Sequence, residues 1–229
     1  SRIDVGDKLV YLGNILGKGG GVLEAVGEVV AFRERFVAHQ NGDSSGWVSL
    51  RGRQEALFEH LMRLDVAMNP VGMMVWALDQ GARRAVAAYS GDPQEGVAAC
   101  AIGPAAIREW TEKLVARLAS VPGHADYFEN LKHAAFTSNN NIVFVHAGLL
   151  ADRPLDAQGD ALWWNSDSFS AAKKPYYATQ KIVRGYDPEF RGIVETKYSL
   201  SVDGGCGQGG KLYAVKLDAT GSVIDLVAA

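Results

Sequence analysis

The residues best placed to do chemistry stand where apolar runs end. Asn141-Ile142-Val143-Phe144-Val145-His146 finishes in an imidazole followed by Ala147-Gly148, and the run Lys8 to Leu12 closes on Gly13 and Asn14. Ile182-Val183-Arg184-Gly185-Tyr186 repeats the strand-then-glycine design. Open α/β sheets place their sites at the carboxyl ends of strands, so this pattern marks a site without saying which. An imidazole can bind a metal or move a proton, yet a single imidazole rarely holds a metal alone. Asn14 next to Gly13 can lend a carbonyl oxygen, but Asn in that setting is also ordinary turn chemistry. The glycine-rich stretches 17–21 and 204–210 read as turns, because no Walker-type Lys-Ser or Lys-Thr follows them.

The elements that would position these residues follow from hydrophobic periodicity. Lys8 to Leu12 predicts a buried strand of a parallel sheet, and Trp47 to Leu50 a second strand. Between them Val22, Val26, Val29, Val30 and Phe36 recur at helical spacing. From about residue 54 to 131 the chain is rich in Ala, Leu, Met and charge, with breaks at Asn69-Pro70, Gly91-Asp92-Pro93, Gly103-Pro104 and Pro122-Gly123. This stretch predicts a helical insertion. Near the end, Tyr198 to Val202, Lys211 to Leu217 and Val223 to Leu226 are closely spaced and partly alternating, which predicts one antiparallel meander.

Composition narrows the class. The 229 residues are 48% apolar and 21% charged, values of an ordinary globular chain, and no linker-like tract divides them, so one domain over 1–229 is expected. Net charge is −3 with Lys and Arg scattered, which gives no electrostatic footprint for nucleic acid. No apolar run approaches the roughly 20 residues that span a bilayer, and membrane insertion is not expected. Cys100 and Cys206 lie far apart in no metal or redox spacing and read as free thiols of a reducing, cytoplasmic compartment.

Six segments in order resemble the successive motifs of the calcineurin-like metallophosphoesterases, in the branch of serine/threonine protein phosphatases and dinucleoside tetraphosphatases. Residues 6–19, GDKLVYLGNILGKG, resemble the segment ending in G-D-x-x-D-R-G, and LRGRQEAL at 50–57 resembles the L-R-G-N-H-E segment. VHAGL at 145–149 fits V-H-A-G, LWWNS at 162–166 sits where the family has L-W-x-R, and VRGYDP at 183–188 resembles the G-H-T-P segment. VDGGCGQGGKL at 202–212 resembles the closing I-D-T-G and G-G-x-L. The resemblance implies a four-layer α/β/β/α sandwich with the helical insertion beside the site. The family's first strand, with its D-x-H motif, has no counterpart before residue 6: either an upstream segment carries it, as the active alternative below requires, or the strand is missing or rebuilt.

That family holds two metal ions between strand ends and uses them to polarise a phosphate and activate water. The resemblance implies that Asn14 stands for the bridging Asp, Arg53 for a ligating Asn, Gln54 for the general-acid His and Tyr186 for a ligating His, with His146 retained. Lys18 and Asn165 stand for the two phosphate-binding arginines. Unit charges about 4 Å apart at an effective dielectric near 20 interact by roughly 4 kcal/mol, so a guanidinium facing a dication opposes its binding by roughly twice that. The bland readings are that Arg53 fills the vacated space and pairs with a carboxylate, and that Tyr186 only packs.

The expectation is therefore a degenerate phosphoesterase without cofactor, a scaffold for a protein or for a phosphate-type anion gripped by Lys18, Arg53 and Arg184. The rival expectation is an active protein phosphatase or dinucleoside polyphosphate hydrolase with two divalent metals, Mn, Fe or Zn, at an altered site. A third is a structural subunit, whose sign would be an exposed apolar patch around the helical insertion.

Overall fold

A computed structural model describes residues 3–90, 92–170 and 174–229. The chain forms two compact units, one mainly helical from residues 14–43 and 54–130, the other built on sheets from the remaining segments.

The helical unit begins with α1 (Val22–His39), which buries Val22, Val26, Val29 and Phe36 along one face. Then come α2 (Arg53–Leu61), whose first residue still belongs to the sheet unit, α3 (Pro70–Ala77), α4 (Arg83–Ser90), α5 (Pro93–Ile102), α6 (Pro104–Ala119) and α7 (His124–Glu129). These elements coincide with the predicted helical stretch. Its breaks are caps. The Asn69 side chain accepts from Gly72 N and that of Asp92 from Gln94 N (2.8 Å), each followed by a proline at the first helical position. One break has no Pro or polar cap to announce it: α3 runs through a π-turn, Leu78–Ala82, that kinks at Gly81 (φ 115°) before α4. Phe58 anchors the core, its ring 5.1 Å from Tyr89 and 5.4 Å from Phe128. The Tyr89 hydroxyl meets His124 Nδ1 at 2.6 Å, and burial pushes the Tyr89 pKa up and that of His124 down.

In the sheet unit β1 (Leu9–Tyr11) and β2 (Trp47–Ser49) pair in parallel, Val10 opposite Val48. A five-stranded sheet holds β3 (Ala135–Phe136), β4 (Ile142–Val145), β5 (Lys181–Arg184), β6 (Gly192–Glu195) and β7 (Ser199–Asp203) in the order β3-β4-β5-β7-β6. Its three central strands are parallel and the edges antiparallel. β8 (Tyr213–Leu217) and β9 (Val223–Ala228) form a separate hairpin. Ile142, Val183 and Leu200 make the buried centre of the large sheet, and Val215, Leu217 and Val223 of the hairpin pack on it.

The single meander is thus corrected. β7 lies inside the large sheet between β5 and β6, while β8 and β9 pair only with each other. The glycine-rich turn after β7 lets the chain leave one sheet and start another, and alternation along a strand does not say which neighbour it takes. Architecture among the described residues is mixed α/β, as the sequence predicts.

Candidate functional site

Because β4 and β5 are parallel neighbours, the residues just past their ends meet. His146 O accepts hydrogen bonds from Gly185 N (3.0 Å) and Tyr186 N (2.8 Å). The Tyr186 ring then stacks on the imidazole, centroids 5.6 Å apart and planes within 18°. The Arg53 guanidinium lies over the other aromatic surfaces of this cluster, 4.8 Å from the Tyr186 ring and 4.4 Å from that of Trp164, a spacing suited to cation–π attraction. Its Nη1 donates to the Tyr186 hydroxyl over a long 3.4 Å.

Close packing of strand ends explains the recurring glycines. Gly13 has φ 90°, and a Cβ there would lie 2.7 Å from Gly52 Cα and 2.9 Å from His146 Nδ1. A Cβ at Gly185 would collide with Leu12 at 2.3 Å. The result is that Leu12 O reaches His146 Nδ1 at 2.7 Å. Since a carbonyl only accepts, Nδ1 carries the proton and Nε2 keeps a bare lone pair. Nε2 is buried and has no hydrogen-bond partner among the described residues. Burial pulls the His146 pKa down, the Leu12 carbonyl resists, and the Arg53 charge adds to the fall, bringing it to about 4. The imidazole is neutral at pH 7 and is no general acid there.

Arg184 is placed elsewhere. Read from sequence as an anion contact, it is 1% exposed and spent inside the sheet unit: Nη2 is 3.1 Å from Asp187 Oδ1, Nε donates to Ser201 Oγ (3.2 Å) and Nη1 to Ser166 O (3.1 Å). That corrects its assignment, because its donors already have partners. Asp187, fully buried, also accepts from Arg191 Nε (2.8 Å) and from Glu189 N (3.2 Å), while its own N–H donates to Asp203 Oδ2 (2.9 Å). Burial alone raises the Asp187 pKa, but the Arg191 and Glu189 hydrogen bonds and the Arg184 charge overcome it and hold the carboxyl below its ordinary range. This carboxylate fixes the loop that carries Tyr186, and the sequence reading missed it. Its signal was the Asp directly after Tyr186 in VRGYDP.

In the helical unit Asn14 is left-handed (φ 61°), and its Oδ1 accepts from Gln54 N (3.0 Å), capping the start of α2. Glu55, fully buried, accepts from Asn14 N (2.9 Å) and Leu16 N (3.0 Å). Asn14 therefore serves as a turn and cap residue. Gln54 is buried, with Nε2 on Gln80 O (3.1 Å), and the exposed Lys18 runs against Gly81 with no ion pair among the described residues. Asn165 closes the single turn α8 (Ala161–Trp164), its N–H donating to Ala161 O (3.0 Å).

Glu55→Ala is expected to cost about 3 kcal/mol, because it removes the shared acceptor of the buried Leu16 amide and the part-buried Asn14 amide. Urea unfolding followed by circular dichroism measures this, and a loss below about 1 kcal/mol would remove Glu55 as the brace of the 14–16 turn.

These residues do not fit a dinuclear metal centre. Among the described residues no three His, Cys, Asp or Glu side chains stand close enough to share an ion. His146 is stacked against Tyr186, whose ring also meets the Arg53 guanidinium.

The fold is mixed α/β, with polar residues gathered past the ends of parallel strands. A solved structure described as "a putative diadenosine tetraphosphatase" is similar, with a TM-score of 0.53 and 19% identity over 99% of this chain and 82% of that one. No protein-family model matches the sequence. No curated protein matches it either. At that identity the likeness speaks for the fold alone.

Proposed function

We propose that this chain is a metallophosphoesterase-like protein that binds a phosphate-type anion or a protein partner and does not hydrolyse phosphoesters. The observation that carries the reading is the Arg53–Tyr186–His146 cluster, in which the one retained family ligand stacks on an aromatic ring that also meets a permanent cation, with no carboxylate in the cluster. The fold likeness to the structure described as "a putative diadenosine tetraphosphatase" supports the family part of the reading. With it come the family's four-layer α/β/β/α arrangement in one domain and a helical insertion over about 54–131. Arg53 and Lys18 remain the anion contacts, and no metal cofactor is proposed. A cytoplasmic location fits the free thiols of Cys100 and Cys206. No helix among the described residues is long and apolar enough to cross a membrane.

The test is an assay of the full chain with manganese against p-nitrophenyl phosphate and a dinucleoside tetraphosphate, paired with calorimetric titration of inorganic phosphate. The expected result is no turnover above buffer, and phosphate binding that weakens at least about tenfold in Arg53→Ala. Turnover that His146→Ala abolishes would sink the reading. It would favour the second one, an active hydrolase with two divalent metals, Mn, Fe or Zn. The bare, buried Nε2 of His146 is what speaks for that alternative.

A further inference from the structure

Residues 64–76 of the helical unit turn apolar side chains outward. Leu64, Met74 and Ala77 are buried, whereas Val66, Val71, Val75 and Trp76 are exposed and Met68 is wholly so. A groove of about 520 Å³ opens here, lined among others by His60, Arg63, Met68, Met73 and Trp76, with the His60 and Trp76 rings 6.4 Å apart. Its size is that of a pocket that takes bulky side chains. Two flexible methionines let its walls adapt to them. The charge is one-sided: Arg63 is exposed and makes no ion pair among the described residues, and no carboxylate lines the groove.

We infer that this groove docks a protein segment presenting one or two large aliphatic side chains flanked by carboxylates, an acidic amphipathic helix. The apolar walls would take the aliphatic anchors, and the planar Arg63 fork suits a carboxylate in two-point contact. An anionic membrane is the poorer match, because surfaces of that kind attract clusters of basic residues, and one arginine lines this groove. The inference goes beyond the anion reading and shares no residue with it.

Two synthetic helical peptides of about 18 residues, with leucines at helical spacing and either glutamates or lysines on the flanks, test it by fluorescence anisotropy against the full chain. The glutamate peptide is expected to bind in the micromolar range, at least about tenfold more tightly than the lysine peptide. Arg63→Glu and Met68→Asp are each expected to weaken it at least about tenfold. Both side chains are exposed, so circular dichroism should show both variants folded. Equal binding of the two peptides, indifference to either substitution, or no binding of either would overturn the inference. So would self-association in sedimentation that Met68→Asp abolishes, which would make a second copy the occupant, or co-sedimentation with phosphatidylserine vesicles that Arg63→Glu abolishes.

Discussion

Asp187→Ala is expected to destabilise the protein by about 4 kcal/mol, because it leaves a guanidinium buried without its counter-charge. Arg184 is 1% exposed and has Asp187 as its only carboxylate partner among the ion pairs of the described residues. The substitution also removes the shorter of the two ion pairs of Arg191, leaving it Glu189 at 3.6 Å, and takes away the acceptor of Glu189 N, so the loop bearing Tyr186 loses its anchor. Urea unfolding reads the effect as a lower midpoint. Arg191→Ala, which removes the half-exposed partner and leaves Arg184 paired, should shift that midpoint far less. Equal shifts would mean that the buried pair is not what holds the loop.

Acidification is expected to bring the next largest change. In the unfolded chain a histidine titrates near 6.5, whereas His146 in the fold titrates at about 4. Between those values the unfolded form takes up a proton that the folded form refuses, so stability falls as pH falls and the loss is complete near the lower value. The loss amounts to about 3 kcal/mol. His124 is lowered in the same direction and adds to the slope. Asp187 acts in a different window: its depressed carboxyl stabilises the fold above the unfolded carboxyl value of about 3.9, and that support goes only as pH falls further. Unfolding free energies measured from pH 7 to pH 4 should therefore slope less in His146→Gln, whose side chain cannot titrate. A slope unchanged by that substitution would place the titrating groups elsewhere.

What the sequence shows well is whatever neighbouring residues decide. The Asn69-Pro70 and Asp92-Pro93 breaks are caps because the side chain and the amide it serves are two or three residues apart. Adjacency of His146 and Tyr186 follows from the parallel pairing of β4 and β5, which brings the residues just past their ends together. The Gly81 kink was not legible, because a lone glycine inside a helical pattern is compatible with an unbroken helix. Nor was β6, only four residues long, or the division of the final strands between two sheets.

The site was legible in its residue types and less so in their duties. Arg184 looks like any strand-end cation until its depth is known, and only depth turns it from an anion contact into the partner of Asp187. Asn14 looks like a ligand or a turn residue, and the deciding neighbour, the amide of Gln54, is 40 positions away. Tyr186 packs, as its bland reading had it. Arg53 rests on aromatic rings and not on a carboxylate.

The helical unit is assembled from two stretches of chain, separated by residues 44–53, which go to the sheets. Helix α1 contacts α4 and α7, both encoded in the second stretch. Excising the predicted insertion at 54–131 would thus not leave a trimmed but intact scaffold. It would strip α1 of its packing partners and bare the Val22, Val26, Val29 and Phe36 stripe to water, inviting aggregation. A graft or a minimal expression fragment has to carry both stretches, and so has to keep the strand segment threaded between them.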